Sequence, residues 1–164
     1  MKANKRRILG IDPGLADTGW GVLEDRNGSI LYIDHGTIIT KADRPRAERL
    51  FFIMHSIRLI IEKYKPAEAA IEKLFFGKNV TSAIPVAEAR GVISAVIAEK
   101  GISLRELTPN AIKKGVTGNA CADKKQVQEM VKIILSLDDV PKPNHAADAL
   151  AAAICAVSLP LTGV

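Results

Sequence analysis

The amino-acid sequence predicts an α/β domain whose sheet mixes antiparallel and parallel strands, and three observations carry that expectation. Asn27-Gly28 stands between two strand-like stretches, 18–25 and 29–40, and Asn-Gly is the strongest short signal for a hairpin. An apolar run, a stretch of helical period over 44–64 and a second short apolar run at 67–71 then follow one another. That strand, helix, strand order implies a right-handed crossover, which makes the later strand a parallel neighbour of the first. The chain has 164 residues and 48% hydrophobic content, with no internal repeat and no low-complexity linker, so one compact domain spanning 1–164 is expected.

The first strand is residues 8–11, an apolar run that ends in Asp12-Pro13-Gly14. Pro13 has no N–H and a fixed φ, and Gly14 can take the positive φ of a tight turn, so pairing stops abruptly. Asp12 is thereby held at the end of a buried strand and faces the open edge where α/β sheets bind ligands. It reads either as a metal ligand or as the cap of its own turn. After the hairpin, Leu50, Ile53, Met54, Ile57, Ile61 and Tyr64 recur at helical spacing, with Arg49, Arg58 and Lys63 off the stripe. Asp43 and Pro45 open this helix, and Pro66 ends it. Residues 67–71 form a second apolar strand that delivers Glu72 at its end, so Glu72 is expected beside Asp12.

The loop 73–78 carries two adjacent aromatics, Phe75 and Phe76, between Lys73 and Lys78, in a chain with 4% aromatic residues. Composition favours a loop anchored in the core over a pair of rings that stack on bases. A long helix over 79–100 bears a stripe of small residues, Ala87, Gly91 and Ala95, suited to close packing on the sheet or on a second subunit. Residues 102–107 form another strand, and Pro109 opens a short helix through 114. Residues 115–123 are small and polar, expected as a mobile loop between the lysine pairs Lys113-Lys114 and Lys124-Lys125. An amphipathic helix over 123–135 buries Val127, Met130, Val131 and Ile134. Pro141-Lys142-Pro143 is extended, and Asn144 caps a last, alanine-rich helix that runs to about residue 158.

That last helix begins His145-Ala146-Ala147-Asp148, and residues three apart share a helix face. Its other residues are apolar nearly all round, as in a buried helix. A buried aspartate without a partner is costly, and carboxylates brought together raise one another's pKa unless a cation neutralises them. Asp12, Glu72 and Asp148 as oxygen ligands, with His145 as a nitrogen ligand, suit magnesium or manganese better than zinc. The net charge of +5 points to an acidic partner, nucleic acid before a membrane surface. The two cysteines, Cys121 and Cys155, form no Cys-x-x-Cys and read as free thiols. The basic N-terminus is followed by an apolar run too short for a signal peptide, and no stretch is long enough to span a bilayer, so a cytoplasmic protein is expected.

The ordered set Gly10-Ile11-Asp12-Pro13-Gly14, Thr18-Gly19-Trp20-Gly21-Val22, Ile71-Glu72-Lys73-Leu74-Phe75, Ala89-Arg90-Gly91, Lys124-Lys125-Gln126-Val127-Gln128 and His145-Ala146-Ala147-Asp148-Ala149 resembles the RuvC family of bacterial Holliday junction resolvases. The likeness covers nearly the whole chain. It implies an RNase H-like fold, a five-stranded mixed sheet flanked by helices on both faces, working as a homodimer on four-way DNA junctions in recombination and repair. By the same resemblance Asp12, Glu72, His145 and Asp148 are the catalytic, metal-binding set. Phe75 matches the family's junction-probing aromatic, and Lys113 and Lys124 match its phosphate-contacting lysines. The family allows an acidic residue or a histidine where His145 stands, which leaves its role as ligand or proton carrier open.

The implied chemistry is two-metal phosphodiester hydrolysis with two Mg2+ per site, Mn2+ as a substitute, and Asp12 bridging ions roughly 4 Å apart. Two subunits would nick two opposed strands symmetrically and leave 5′-phosphate and 3′-hydroxyl ends. A branch-migration helicase complex is the further partner that the resemblance implies. A non-catalytic nucleic-acid binding module on the same fold is the alternative. The Gly-Ile-Asp-Pro-Gly segment alone also resembles the phosphate loop of actin-like ATPases, which need two related halves that this chain is too short to supply.

Overall fold

The computed structural model describes residues 5–75 and 80–159. Among them are β1 (Lys5–Asp12), β2 (Asp17–Arg26), β3 (Ser29–Ile39), α1 (Arg46–Tyr64), β4 (Glu68–Glu72), α2 (Val80–Glu99), β5 (Ser103–Leu107), α3 (Pro109–Thr117), α4 (Lys124–Ile134) and α5 (Asn144–Ser158). The strands form one five-stranded sheet in the order β3-β2-β1-β4-β5. The pairs β1–β2 and β2–β3 are antiparallel, whereas β1–β4 and β4–β5 are parallel, as the hairpin and crossover signals require. Side chains alternate along a strand, so each strand feeds two cores. Ile8, Leu23 and Leu107 pack against α3, α4 and α5 on one face. Leu9, Ile11, Val22 and Ala69 point to the other face, where α1 and α2 supply Ile53, Ile57, Ile93 and Ile97.

The approach of α5 to the sheet explains several glycines at once. A Cβ built on Gly10 would stand 1.9 Å from the Ala149 carbonyl oxygen, and one on Gly19 would stand 2.0 Å from that of His145. With glycine on the strands and alanine on the helix, the α5 backbone lies directly on β1 and β2. Ten of its residues, Ala146 to Ala156 with Asp148 excepted, are buried. This docking brings the first turn of α5 down onto the end of β1.

Several local expectations are corrected. Gly14 is not among the positive-φ residues. It is small because a Cβ there would meet the Asp17 carbonyl oxygen at 2.4 Å, while Thr18 Oγ1 donates to the Gly14 carbonyl at 2.6 Å. Asn144 does not cap α5: the flanking position is Pro143, without a side-chain cap, and Asn144 is already helical, whereas α1 opens at Pro45 as expected, with Asp43 outside it. The segment expected as a loop from 115 is helical through Thr117. Gly115 serves a close approach there, since its Cβ would meet Cys155 Sγ at 2.8 Å. Beyond it, Gly118 takes a left-handed φ of 76° and ends α3, and Asp123 starts α4 with a reciprocal capping box to Gln126. The small-residue stripe on α2 does not pack on the sheet, because Gly91 and Ala95 are exposed. Phe76 and Lys78 lie outside the described residues.

Candidate active site

All of the chemistry gathers at one edge of the sheet. Ile11 of β1 pairs in parallel register with Ile71 of β4, so the next residues, Asp12 and Glu72, end adjacent strands side by side. Ile11 faces α1 and α2 whereas Ala70 of β4 faces α5, so by alternation Asp12 and Glu72 both face α5. There the first turn of α5 supplies His145 and Asp148. One ligand atom each from Asp12, His145 and Asp148 lies within 4.8 Å of the others. His145 Nδ1 and Asp12 Oδ2 share a hydrogen bond at 2.7 Å, and Lys124 Nζ donates to Asp148 Oδ2 at 2.8 Å. Glu72 is outside that tight triplet but lines the same cavity of about 340 Å3, together with Asp12, Asp148, Lys113 and Lys124. His145 sits at the rim, 46% exposed.

The cluster is short of positive charge. Burial pushes the Asp12 carboxyl above its ordinary value, and the Asp148 charge adds to this, while the hydrogen bond from His145 opposes it. Burial likewise raises Glu72, helped by the charges of Asp12 and Asp148 and offset by Lys113 and Lys124. The hydrogen bond to Asp148 holds Lys124 firmly protonated. Three carboxylates and an imidazole of this kind fit a hard divalent cation, whose charge offsets the burial and the repulsion that lift Asp12 and Glu72. Zinc would prefer nitrogen and sulfur donors, and neither cysteine is near: Cys155 is buried with its thiol donating to the Ala111 carbonyl, and Cys121 is not in the cavity lining.

Phe75 is the clearest departure from the compositional expectation. It is 64% exposed, so it does not anchor its loop in the core. Nor does it line the carboxylate cavity. It borders an adjoining groove with Lys73, Ala87, Arg90 and Gly91. Arg90 belongs to the Ala89-Arg90-Gly91 motif, which by itself assigns it no role at the site. Its guanidinium nevertheless reaches the end of β4, and the signal was available, since it is the single basic residue in α2.

A family model described as crossover junction endodeoxyribonuclease RuvC matches residues 8–156. The crossover junction endodeoxyribonuclease RuvC of Treponema denticola is 51% identical over 93% of this chain and 85% of that relative. That of Chloroflexus aurantiacus is 50% identical over 91% of each chain. Among solved structures, Thermus thermophilus RuvC in complex with a Holliday junction substrate superposes with a TM-score of 0.86 at 29% identity, covering 92% of both chains. A yeast mitochondrial Holliday junction resolvase, at 13% identity and a TM-score of 0.67, shares the fold. No described helix is long and apolar enough to cross a membrane.

Proposed function

The chain belongs to the RuvC family of crossover junction endodeoxyribonucleases, with its RNase H-like fold, and from that premise we propose how its residues divide the work of cutting a four-way DNA junction. The observation that carries the proposal is the convergence of Asp12, Glu72, His145 and Asp148 at one sheet edge, with two lysines and too few positive charges to balance them.

In this reading, a single nuclease domain holds two Mg2+ ions, replaceable by Mn2+, through those four side chains. When bound, the ions lower the pKa of an attacking water and neutralise charge at the scissile phosphate. Asp12 and Asp148 supply oxygens from a strand and a helix that cannot shift independently, because Gly10 and Gly19 lock α5 onto β1 and β2. His145, with Nδ1 tied to Asp12, presents Nε2 as the one nitrogen donor of the set. Glu72 completes it from the neighbouring strand. Lys113 and Lys124 line the same cavity as point charges for the DNA backbone, and Lys124 already sits 2.8 Å from a carboxylate oxygen, so it can follow a phosphate into the site without a large excursion. Phe75, exposed one groove away, wedges at the point where stacking is interrupted. Opening a base step there costs less than in an intact duplex. Two copies of the chain around a two-fold axis place two such sites on opposed strands, producing paired nicks with 5′-phosphate and 3′-hydroxyl ends. A branch-migration helicase complex is the proposed further partner.

A synthetic four-way junction, end-labelled on each strand in turn, tests this. Symmetric Mg2+-dependent nicks on two opposed strands, with linear duplex left intact, are expected. Tight junction binding without any nick at any Mg2+ or Mn2+ concentration would instead make the chain a binding module on the same fold.

A further inference from the structure

Asp12 is held by His145 and Asp148 by Lys124, but among the described residues no hydrogen bond or ion pair holds the carboxylate of Glu72. Glu72 is the last residue of β4, and strand ends fray unless something ties them down. What ties this one down is its main chain. From the β5 side, the Lys73 N–H donates to the Leu107 carbonyl at 2.7 Å. From the α2 side, Arg90 Nη1 donates to the Glu72 carbonyl oxygen at 2.5 Å. The same guanidinium places Nη2 2.8 Å from Glu106 Oε1, and its side chain is 14% exposed. Glu106 lies on β5 next to buried Leu107 and, by alternation, on the face opposite α5. The planar fork of Arg90 thus spans from a strand-end carbonyl to a carboxylate on the neighbouring strand, which an ammonium group cannot match.

We infer that Arg90 is a positioning residue for the cleavage reaction: it fixes the Glu72 main chain, and with it the base of the segment that carries Phe75. The inference rests on the reading of Glu72 as part of the cation-binding nuclease site. The segment between Glu72 and Phe75 is two residues long, so the carbonyl that Arg90 grips is the shared root of a catalytic carboxylate and a recognition ring. Loosening that root misplaces both without removing either. Because Glu106 already neutralises the guanidinium, Arg90 is not a free charge for DNA phosphate. The two roles therefore predict opposite responses when Glu106 is changed.

The test compares Arg90→Lys, Arg90→Ala and Glu106→Gln with wild type in the full chain. Three readouts are needed: junction Kd, single-turnover cleavage at saturating protein, and Mg2+ affinity measured calorimetrically without DNA. Positioning predicts that both Arg90 variants lose about ten- to a hundredfold in cleavage rate, the scale of a misplaced catalytic group. It also predicts severalfold weaker Mg2+ binding and junction Kd within about twofold of wild type, with Glu106→Gln changing in the same direction but less. A DNA-contact role overturns the inference if Arg90→Ala weakens junction binding, Arg90→Lys restores it and Glu106→Gln tightens it with Mg2+ affinity unchanged. A merely structural role overturns it if the Arg90 variants melt earlier while their folded fraction binds Mg2+ and cuts normally. Should wild type fail to cut any junction, the nuclease reading falls. The inference then stands or falls on the Mg2+ affinities alone.

Discussion

The two ends of β4 each carry a glutamate, and their charges are balanced in opposite ways. Glu68, at the start of the strand, is 2% exposed and meets Arg6 Nη1 at 3.1 Å and Arg105 Nε at 2.7 Å; Arg6 also bonds Asp25 at 3.1 Å. Two guanidinium groups there answer two carboxylates. Glu72, at the other end, shares its cavity with Asp12 and Asp148 and with two lysines, one of which is already committed to Asp148. The buried pair-network can only hold strands together, since removing either sign would strand a charge in low dielectric. The unbalanced end has no such closure, and in the proposed function it is the end that takes up a cation and a phosphate chain. One short strand therefore separates scaffold from chemistry by how completely its carboxylates are neutralised.

Substitutions at the two ends should break this contrast in opposite senses. Asp12→Asn should abolish cleavage, by at least about a thousandfold if the lost cation contributes several kcal/mol to the transition state, while junction affinity is preserved and the protein stays folded. Single-turnover rates and a denaturation curve on one preparation check this. Glu68→Ala should do the reverse. Stranding Arg105, and leaving Arg6 with Asp25 alone, should cost about 3 to 5 kcal/mol of stability, with the remaining folded molecules cutting at the wild-type rate. Denaturant midpoints, with rates normalised to the folded fraction, distinguish the two.

Phe75→Ala sharpens the comparison at the functional end. The ring is exposed, so its loss should change stability by no more than about 0.5 kcal/mol, in contrast to the 3 to 5 kcal/mol typical of truncating a buried phenylalanine. Junction turnover should fall by more than junction affinity does. A strongly destabilised variant whose folded fraction cuts normally would return Phe75 to a packing role.

The smallest expected effect is in pH. Asp12 and Glu72 are raised above their ordinary values of 3.8 and 4.5. A carboxyl whose folded value exceeds its unfolded one favours folding most while protonated. Its contribution is complete below the unfolded value and is lost as pH rises through the raised one. In chelator, wild type should therefore lose stability relative to Asp12→Asn as pH climbs from about 3.8 through the raised folded value, and the gap should then level off. Parallel stability curves for the two proteins would contradict the assignment.

What the sequence disclosed follows from the range of each interaction. Asp12 and Glu72 were legible because a strand's apolar run and its terminal acid are adjacent in sequence, and His145 with Asp148 because helical spacing is local. The five-stranded mixed sheet followed from one Asn-Gly turn, one crossover and the family resemblance. The Glu68 network was not legible, since its partners lie 62 residues upstream and 37 downstream, and no local pattern marks them. Gly115 misled for a related reason: a glycine among small polar residues looks like a loop, yet it is needed where α3 crosses Cys155 of α5. Composition alone favours Phe75 in the core, whereas the family resemblance makes it a recognition ring, and its exposure is a property of the loop's path rather than of its residue types.

We hold that a divalent cation completes the unbalanced end of the sheet, and an Mg2+ titration of the unfolding equilibrium without DNA tests that claim. Wild type should gain stability as RT ln(1 + [Mg2+]/Kd), about 2.7 kcal/mol at a hundred times Kd, and Glu68→Ala should gain the same increment from its lower baseline. Asp12→Asn should gain almost nothing. Equal gains in wild type and Asp12→Asn, or none in either, would contradict the claim.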